Sequence, residues 1–282
     1  ETDSVFFWIL RNAYNYTGTD IITDAEKYGA VRDSIERHGF RYDSQEDFAR
    51  NVLGEIGCVK SEMCDLKSYE STTMKTDDFR VVYDDYENFL RYRGKIDFDD
   101  MLVFTYELLS QRQDILDMWR NRFQYILIDE FQDINTIQYD TVKLLAKERN
   151  NIFAVGDDDQ SIYGFRGAAP AIMKRFPKDF PGTKIEYLNM NYRCSYDVVE
   201  CSKRIIKNNT DRYDKNLQSA FAPGESDRVH IVKVKDGTEQ NRKIVDKIRE
   251  LNSAGIPYSD IAVIFRTVSY THLRAHETLA NL

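Results

Sequence analysis

Two acidic turns carry the side chains best suited to chemistry: Asp129-Glu130 within DEFQD, and Asp157-Asp158-Asp159 within GDDDQ. Adjacent acids on an extended turn point in different directions, so one can hold a divalent cation through water while the other orients and deprotonates a nucleophile. Such pairs are common on solvated surfaces. Here an apolar run precedes the pair, and Gln132-Asp133 follow within hydrogen-bonding reach. In the second turn Gly156 permits close backbone approach, and Gln160 is a neutral side chain able to donate to a phosphate oxygen or position a water. Three consecutive acids are not expected to face one site, which argues against a metal-dependent nuclease built on Asp157, Asp158 and Asp159.

Beyond the second turn, Tyr163 and Phe165 flank Gly164, with Arg166 and Gly167 following. Glycines weaken any helix or strand, so these rings read either as a loop offering flat faces to nucleic-acid bases or as buried loop aromatics. Arg193, in Asn191-Tyr192-Arg193, could supply a guanidinium fork to a phosphoryl group if it faces the Asp129 turn across a cleft. Asp97, Asp99 and Asp100 could ligate a metal, but the preferred reading is a helix cap with two acids in its first turn. His272 and His276 lack the H-E-x-x-H order and a third ligand, and read as a solvated tail.

The elements that must position these groups follow from periodicity. Tyr125 to Ile128 and Ile152 to Val155 are short apolar runs, each ending in acid, separated by an amphipathic helix from Asn135 to about Lys147 with Ile137, Val142, Leu144 and Leu145 as its buried face. A strand, helix, strand unit of this length predicts two parallel strands with both acidic turns at one sheet edge, where open α/β sheets place ligands. Upstream, Thr23 with Glu26 and Ser44 with Asp47 fit capping boxes of two helices, and Phe79, Tyr83, Tyr86 and Phe89 make a core-facing stripe on another that Gly94 ends. A single helix is expected from Asp97 to about Arg122. Downstream, strands are expected at Lys184–Leu188, Val229–Val234 and Ile261–Phe265, with helices at Pro170–Phe180, Tyr196–Lys207 and Glu239–Leu251. Two α/β units with a helical insertion result.

With 282 residues, 42% of them hydrophobic, the chain can fill about two domain cores. A net charge of -8 confines any nucleic-acid binding to a local groove or to stacking. Four cysteines without C-x-x-C spacing read as reduced thiols, and no apolar stretch suits a membrane span or signal peptide, so a cytoplasmic location is expected. The chain opens inside an apolar run without an initiating Met and reads as an internal piece of a longer protein.

These motifs resemble the UvrD/Rep/PcrA family of superfamily 1A DNA helicases. DEFQD at 129–133 resembles the family's Walker B motif, GDDDQSIYGFRGA at 156–168 its motif III, and LNMNYR at 188–193 its motif IV; IDFDDML at 96–102 and DIAVIFRT at 260–267 resemble further segments. The resemblance implies a RecA-like P-loop NTPase fold: residues 1–14 and 86–183 form part of the first motor domain, 15–85 a mostly helical insertion, and 184–267 the start of the second; 268–282 does not resemble the family. It implies ATP as substrate, Mg²⁺ held by Asp129, and Glu130 activating the attacking water. Gln160 would sense the γ-phosphate, Tyr192 would lie against adenine, Arg193 would act as an arginine finger, and Tyr163, Phe165 and Arg166 would contact DNA. The implied activity is ATP-driven 3′-to-5′ movement on single-stranded DNA and unwinding of duplex DNA. No G-x-x-x-x-G-K-[ST] occurs in the 282 residues, so this polypeptide alone is expected to lack ATPase activity. The competing expectations are a non-enzymatic module binding single strands through Tyr163 and Phe165, and the helicase subunit of a helicase-nuclease complex.

Overall fold

A computed structural model describes residues 2–40, 45–146, 149–161, 171–210, 212–224 and 229–264. The chain divides into two compact units, Glu1–Asn191 with Ser202–Gln218, and Tyr192–Cys201 with Ser219–Leu282.

The first unit is mixed α/β. Its upstream half is helical: α1 (Thr2–Tyr14), α2 (Asp24–Arg37), α3 (Gln45–Ser61), α4 (Thr76–Arg93), α5 (Phe98–Gln111) and α6 (Gln113–Arg122). Local chemistry sets the ends. Thr23 and Glu26 form the predicted capping box on α2, and Asp97 caps α5 by accepting the Asp100 N–H at 2.7 Å, which supports the structural reading of that acidic cluster. Gly94 ends α4 in the left-handed conformation at φ 62°, its N–H donating to the carbonyls of Leu90 and Arg91. The aromatic stripe of α4 is half borne out: Phe79 and Tyr86 are fully buried among α2 and α3 side chains, while Tyr83 and Phe89 pack at the margin. The polar segment before α4 wraps a buried carboxylate, Glu55, which accepts from Tyr69 Oη and Ser71 Oγ at 3.0 Å and from the Thr72 N–H at 2.7 Å.

The single helix expected over 97–122 is two. Arg112 leaves helical geometry at φ -113° and ψ 88°, and its guanidinium holds Asp114, the acid in the first turn of α6, at 2.8 and 3.0 Å. Leu108, Leu109, Leu116 and Trp119 from α5 and α6 then close on Ile9 and Leu10 of α1.

Next come β1 (Ile126–Ile128), α7 (Thr136–Ala146), β2 (Ile152–Ala154) and α8 (Ala171–Asp179). Asn135 accepts the Gln138 N–H at 2.9 Å at the start of α7, whose core residues are Ile137, Tyr139 and Leu145; Val142 and Leu144 are only half-buried. The strands are parallel, with Ile126, Leu127 and Ile128 opposite Ile152, Phe153 and Ala154. Ile126, Ile128, Ile152 and Ala154 pack on a cluster containing Phe131, Tyr139, Phe176 and Phe180, while Leu127 and Phe153 remain exposed on the other face.

Downstream strand expectations fail. Met190–Asn191 (β3) and Gln218–Ser219 (β4) are strand, but 184–188, 229–234 and 261–264 form no ladders, and Leu188, Ile231 and Ile264 are exposed; Phe265 lies outside the described residues. Periodicity supplies a strand's pattern but not its hydrogen-bonding neighbour. The helices hold, as α9 (Tyr196–Ile206) and α10 (Gly237–Ser253), the latter capped by Asp236 accepting the Glu239 N–H at 2.8 Å. Among the described residues no helix is long and apolar enough to cross a membrane.

Candidate functional site

β1 and β2 end side by side, so both acidic turns leave the same sheet edge. Pairing continues one step past the strands: the Val155 N–H donates to Ile128 C=O, and the Phe131 N–H to Val155 C=O, both at 2.8 Å. Between these bonds the chain must turn sharply. Glu130 does so in the left-handed region at φ 49° and ψ 45°, a conformation that costs a non-glycine residue about 1–3 kcal/mol and persists only where the surroundings enforce it. The enforcement is visible on both sides. Its N–H donates to Asp129 Oδ1 at 2.9 Å, and its Oε2 accepts from Gln132 Nε2 at 2.7 Å.

Gln132 is 2% exposed and uses both ends of its amide: Nε2 on Glu130, and Oε1 accepting the Asp157 N–H at 2.9 Å. One buried side chain therefore ties the two acidic turns together. The Ser161 hydroxyl adds a 3.4 Å bond to the Gln132 carbonyl. Asp157 in turn accepts from Gln160 Nε2 at 2.8 Å through Oδ2, so Gln160 is linked to Glu130 through two intermediate residues, by way of the Asp157 backbone N–H and the Gln132 side chain.

Gly156 makes this approach possible. A Cβ there would lie 2.8 Å from Gln132 Oε1 and 3.1 Å from both Gln132 N and Phe131 Cβ. Two of those atoms belong to backbone and core, so relief must come from moving a turn. Gly156→Ala is expected to destabilise the protein by about 1–3 kcal/mol and to speed exchange of the Asp157 amide, read by denaturant melts and hydrogen exchange.

Asp129 and Glu130 are exposed at this edge, and Gln160 is exposed in the 3-10 turn Asp158–Gln160. Tyr163, Phe165 and Arg166 lie outside the described residues. Tyr192, 76% exposed, and Arg193 belong to the second unit, where they occupy the bend after β3. The first unit thus joins Asp129, Glu130 and the Gln160 turn. A magnesium ion fits the donor chemistry of this edge: its carboxylates are hard oxygen donors open to solvent, and Asp133 Oδ1 is buried without a hydrogen-bond partner among the described residues. Burial first, then the Glu130 charge, raises the Asp133 carboxyl above its ordinary value, as expected of an acid short of compensating charge.

The expectation that Asp157, Asp158 and Asp159 could not face one site is wrong. Asp157 is extended while Asp158 and Asp159 turn tightly, and one oxygen from each comes within 4.8 Å of the others. They converge on a lysine. Lys215 Nζ contacts Asp157, Asp158 at 2.5 Å and Asp159 at 2.9 Å, while Arg212 grips Asp159 with Nε at 2.7 Å and Nη2 at 2.5 Å. Burial alone would raise Asp157 and Asp159, but Lys215 with Gln160, and Arg212 with Lys215, hold both below their ordinary values. Arg212 and Lys215 are not among the residues singled out from the sequence; the signal that could have found them is the triple acid itself, which needs cations nearby.

The chain matches the UvrD/REP helicase N-terminal domain over residues 4–181 and the UvrD-like helicase C-terminal domain over 187–280. It belongs to the UvrD/REP helicase family. It is 35% identical over 277 residues to YjcD of Bacillus subtilis strain 168, covering 94% of this chain and 35% of that protein. It is 32% identical to the ATP-dependent DNA helicase PcrA of Staphylococcus aureus strain Mu50 over 266 residues, and to PcrA of Staphylococcus epidermidis over 268 residues, covering in each case 92% of this chain and 36% of the relative. The chain spans about a third of the length of these curated relatives.

Proposed function

We propose that this chain is the coupling segment of an ATP-dependent DNA helicase, in which hydrolysis at the Asp129-Glu130 turn drives 3′-to-5′ movement on single-stranded DNA. The observation that carries the reading is the buried Gln132 amide, bonded at once to Glu130 and to the Asp157 N–H, because it makes the position of one turn depend on the other. In this reading residues 1–14 with 86–183, and 184–267, are parts of two RecA-like motor domains, with 15–85 as a helical insertion.

Asp129 would hold Mg²⁺, with the Asp133 carboxylate nearby in sequence; when bound, the ion neutralises charge on the phosphate oxygens. Glu130 takes the proton of the attacking water. Its carboxylate is oriented for this by the Gln132 donor on Oε2, while its left-handed backbone projects the side chain from the sheet edge. Gln160, tethered through Asp157, registers the γ-phosphate and passes any displacement to the sequence segment bearing Tyr163, Phe165 and Arg166, which would contact single-stranded DNA. Tyr192 lies against adenine and Arg193 supplies the phosphoryl-stabilising guanidinium. Nothing favours the nuclease alternative, since Lys215 occupies the place where the three aspartates converge.

Phosphate release from ATP by the intact helicase that carries this segment, rather than by the 282 residues alone, with and without a single-stranded oligonucleotide, tests the proposal. DNA-stimulated turnover is expected. Turnover indifferent to DNA, or DNA binding by Tyr163 without any ATP hydrolysis, would overturn it in favour of a passive binding module.

A further inference from the structure

The segment Arg212–Gln218 lies far along the chain from the acidic turns, yet its polar groups engage the second turn side chain by side chain. Three carboxylates held this close repel one another, and a turn carrying them keeps one shape only if cations hold each oxygen in place. Lys215 Nζ does so for all three at once, from a side chain only 20% exposed, and Arg212 adds a bidentate grip on Asp159. The backbone joins in: the Tyr213 N–H donates to Asp158 Oδ2 at 2.6 Å, and the Tyr213 hydroxyl donates to Met173 C=O of α8 at 3.0 Å. Asp157 has three partners: Oδ1 takes Lys215 and, at 3.2 Å, the Asp159 N–H, which leaves Oδ2 directed at Gln160 Nε2.

We propose that Lys215, supported by Arg212, is a positioning residue for the motor reaction: it fixes the rotamer of Asp157 and thereby the placement of Gln160. Without its ammonium the three carboxylates splay, Asp157 turns away from Asp158 and Asp159, and Gln160 loses its tether. The site is one of charge balance, so its logic is distinct from packing. A guanidinium at 215 can replace the ammonium, and removing one of the three negative charges reduces the need for it. The inference rests on the proposed role of Gln160 in ATP turnover.

The test compares wild-type intact protein with Lys215→Met, Lys215→Arg and the double variant Lys215→Met/Asp158→Asn, measuring kcat and KM for ATP with a saturating thymidine oligonucleotide and amide exchange over Asp157–Ser161. Lys215→Met is expected to lower kcat by about tenfold to a hundredfold, the cost of misplacing a reacting group by about an ångström. ATP KM should move by less than about threefold, because ground-state binding is not what the lysine serves. Exchange over Asp157–Ser161 should accelerate while β1 and β2 are unchanged, and both Lys215→Arg and the added Asp158→Asn should recover kcat. Lys215→Gln carries the same expectation should the methionine variant not fold. Wild-type exchange over Asp157–Ser161, or a loss that neither Lys215→Arg nor Asp158→Asn relieves, would overturn the proposal in favour of a packing role. If Gln160→Ala and Glu130→Gln leave turnover intact, the functional reading fails instead, and the exchange measurement still decides whether Lys215 positions the turn.

Discussion

Glu130→Gln is expected to lower ATP turnover by about a hundredfold to ten-thousandfold, the range for removing a positioned general base, while leaving the fold in place. The substitution separates basicity from geometry at this position. Glutamine keeps an oxygen that can accept the 2.7 Å bond from Gln132 Nε2, and the bond to Asp129 Oδ1 uses only the backbone N–H of residue 130, so the left-handed turn retains its supports. What disappears is the group that can take a proton. The change also removes the neighbouring charge that helps raise Asp133, so the Asp133 carboxyl should titrate lower than in the wild type. Single-turnover phosphate release at saturating ATP and DNA reads the chemical step. A variant within tenfold of wild type would remove Glu130 from the role of base. Lost nucleotide binding instead of lost chemistry would assign it to holding the ion.

Much of this turn was legible because its determinants are local. The apolar runs, the acids that end them and the helix between them dictate a parallel pair with both turns on one edge, and Ile126 opposite Ile152 realises it. Capping at Thr23 and Asp97 follows from side chains three residues apart. What could not be read depends on partners distant in sequence. Lys215 looks like any solvated lysine until the chain brings it to Asp157, and 184–188 has a strand's composition without a strand's neighbour. Gln132 was within sight as a companion of Glu130, but its second bond, to Asp157, depends on how closely Gly156 lets the two turns approach.

Lys60 is the sharpest case of the same limit, and carries the largest expected effect on stability. It lies on α3 beside residues that read as an amphipathic helix, yet it is 5% exposed and its ammonium meets three carboxylates: Asp97 at 2.9 Å, Asp100 at 2.7 Å and Glu87 at 2.6 Å. The Tyr86 hydroxyl also donates to Asp97 at 3.0 Å. These contacts join α3, α4 and the cap of α5, and so connect the helical segment to the segment leading into β1. Lys60→Met removes the only cation in direct contact with this cluster among the described residues and leaves buried negative charge, so it is expected to cost about 3–5 kcal/mol at neutral pH. The pH dependence distinguishes this cause from a packing defect. Burial, then Asp97, pushes Asp100 up to about 7, above its unfolded value, so the folded state binds this proton first and the group's contribution to stability grows as pH falls from about 8 toward 4. Asp97 is held below its ordinary value against its burial, chiefly by Lys60, and its contribution is lost only under more acidic conditions. Without the ammonium both carboxyls shift upward, so the variant should regain part of its lost stability between pH 8 and pH 5, more than the wild type gains. Urea denaturation of the intact protein at the two pH values measures this, and adding Asp100→Asn should restore stability at the higher one. A deficit of equal size at both pH values would mean that the methylene stem of Lys60, packed beside the Tyr86 ring 5.2 Å from its Nζ, matters more than its charge.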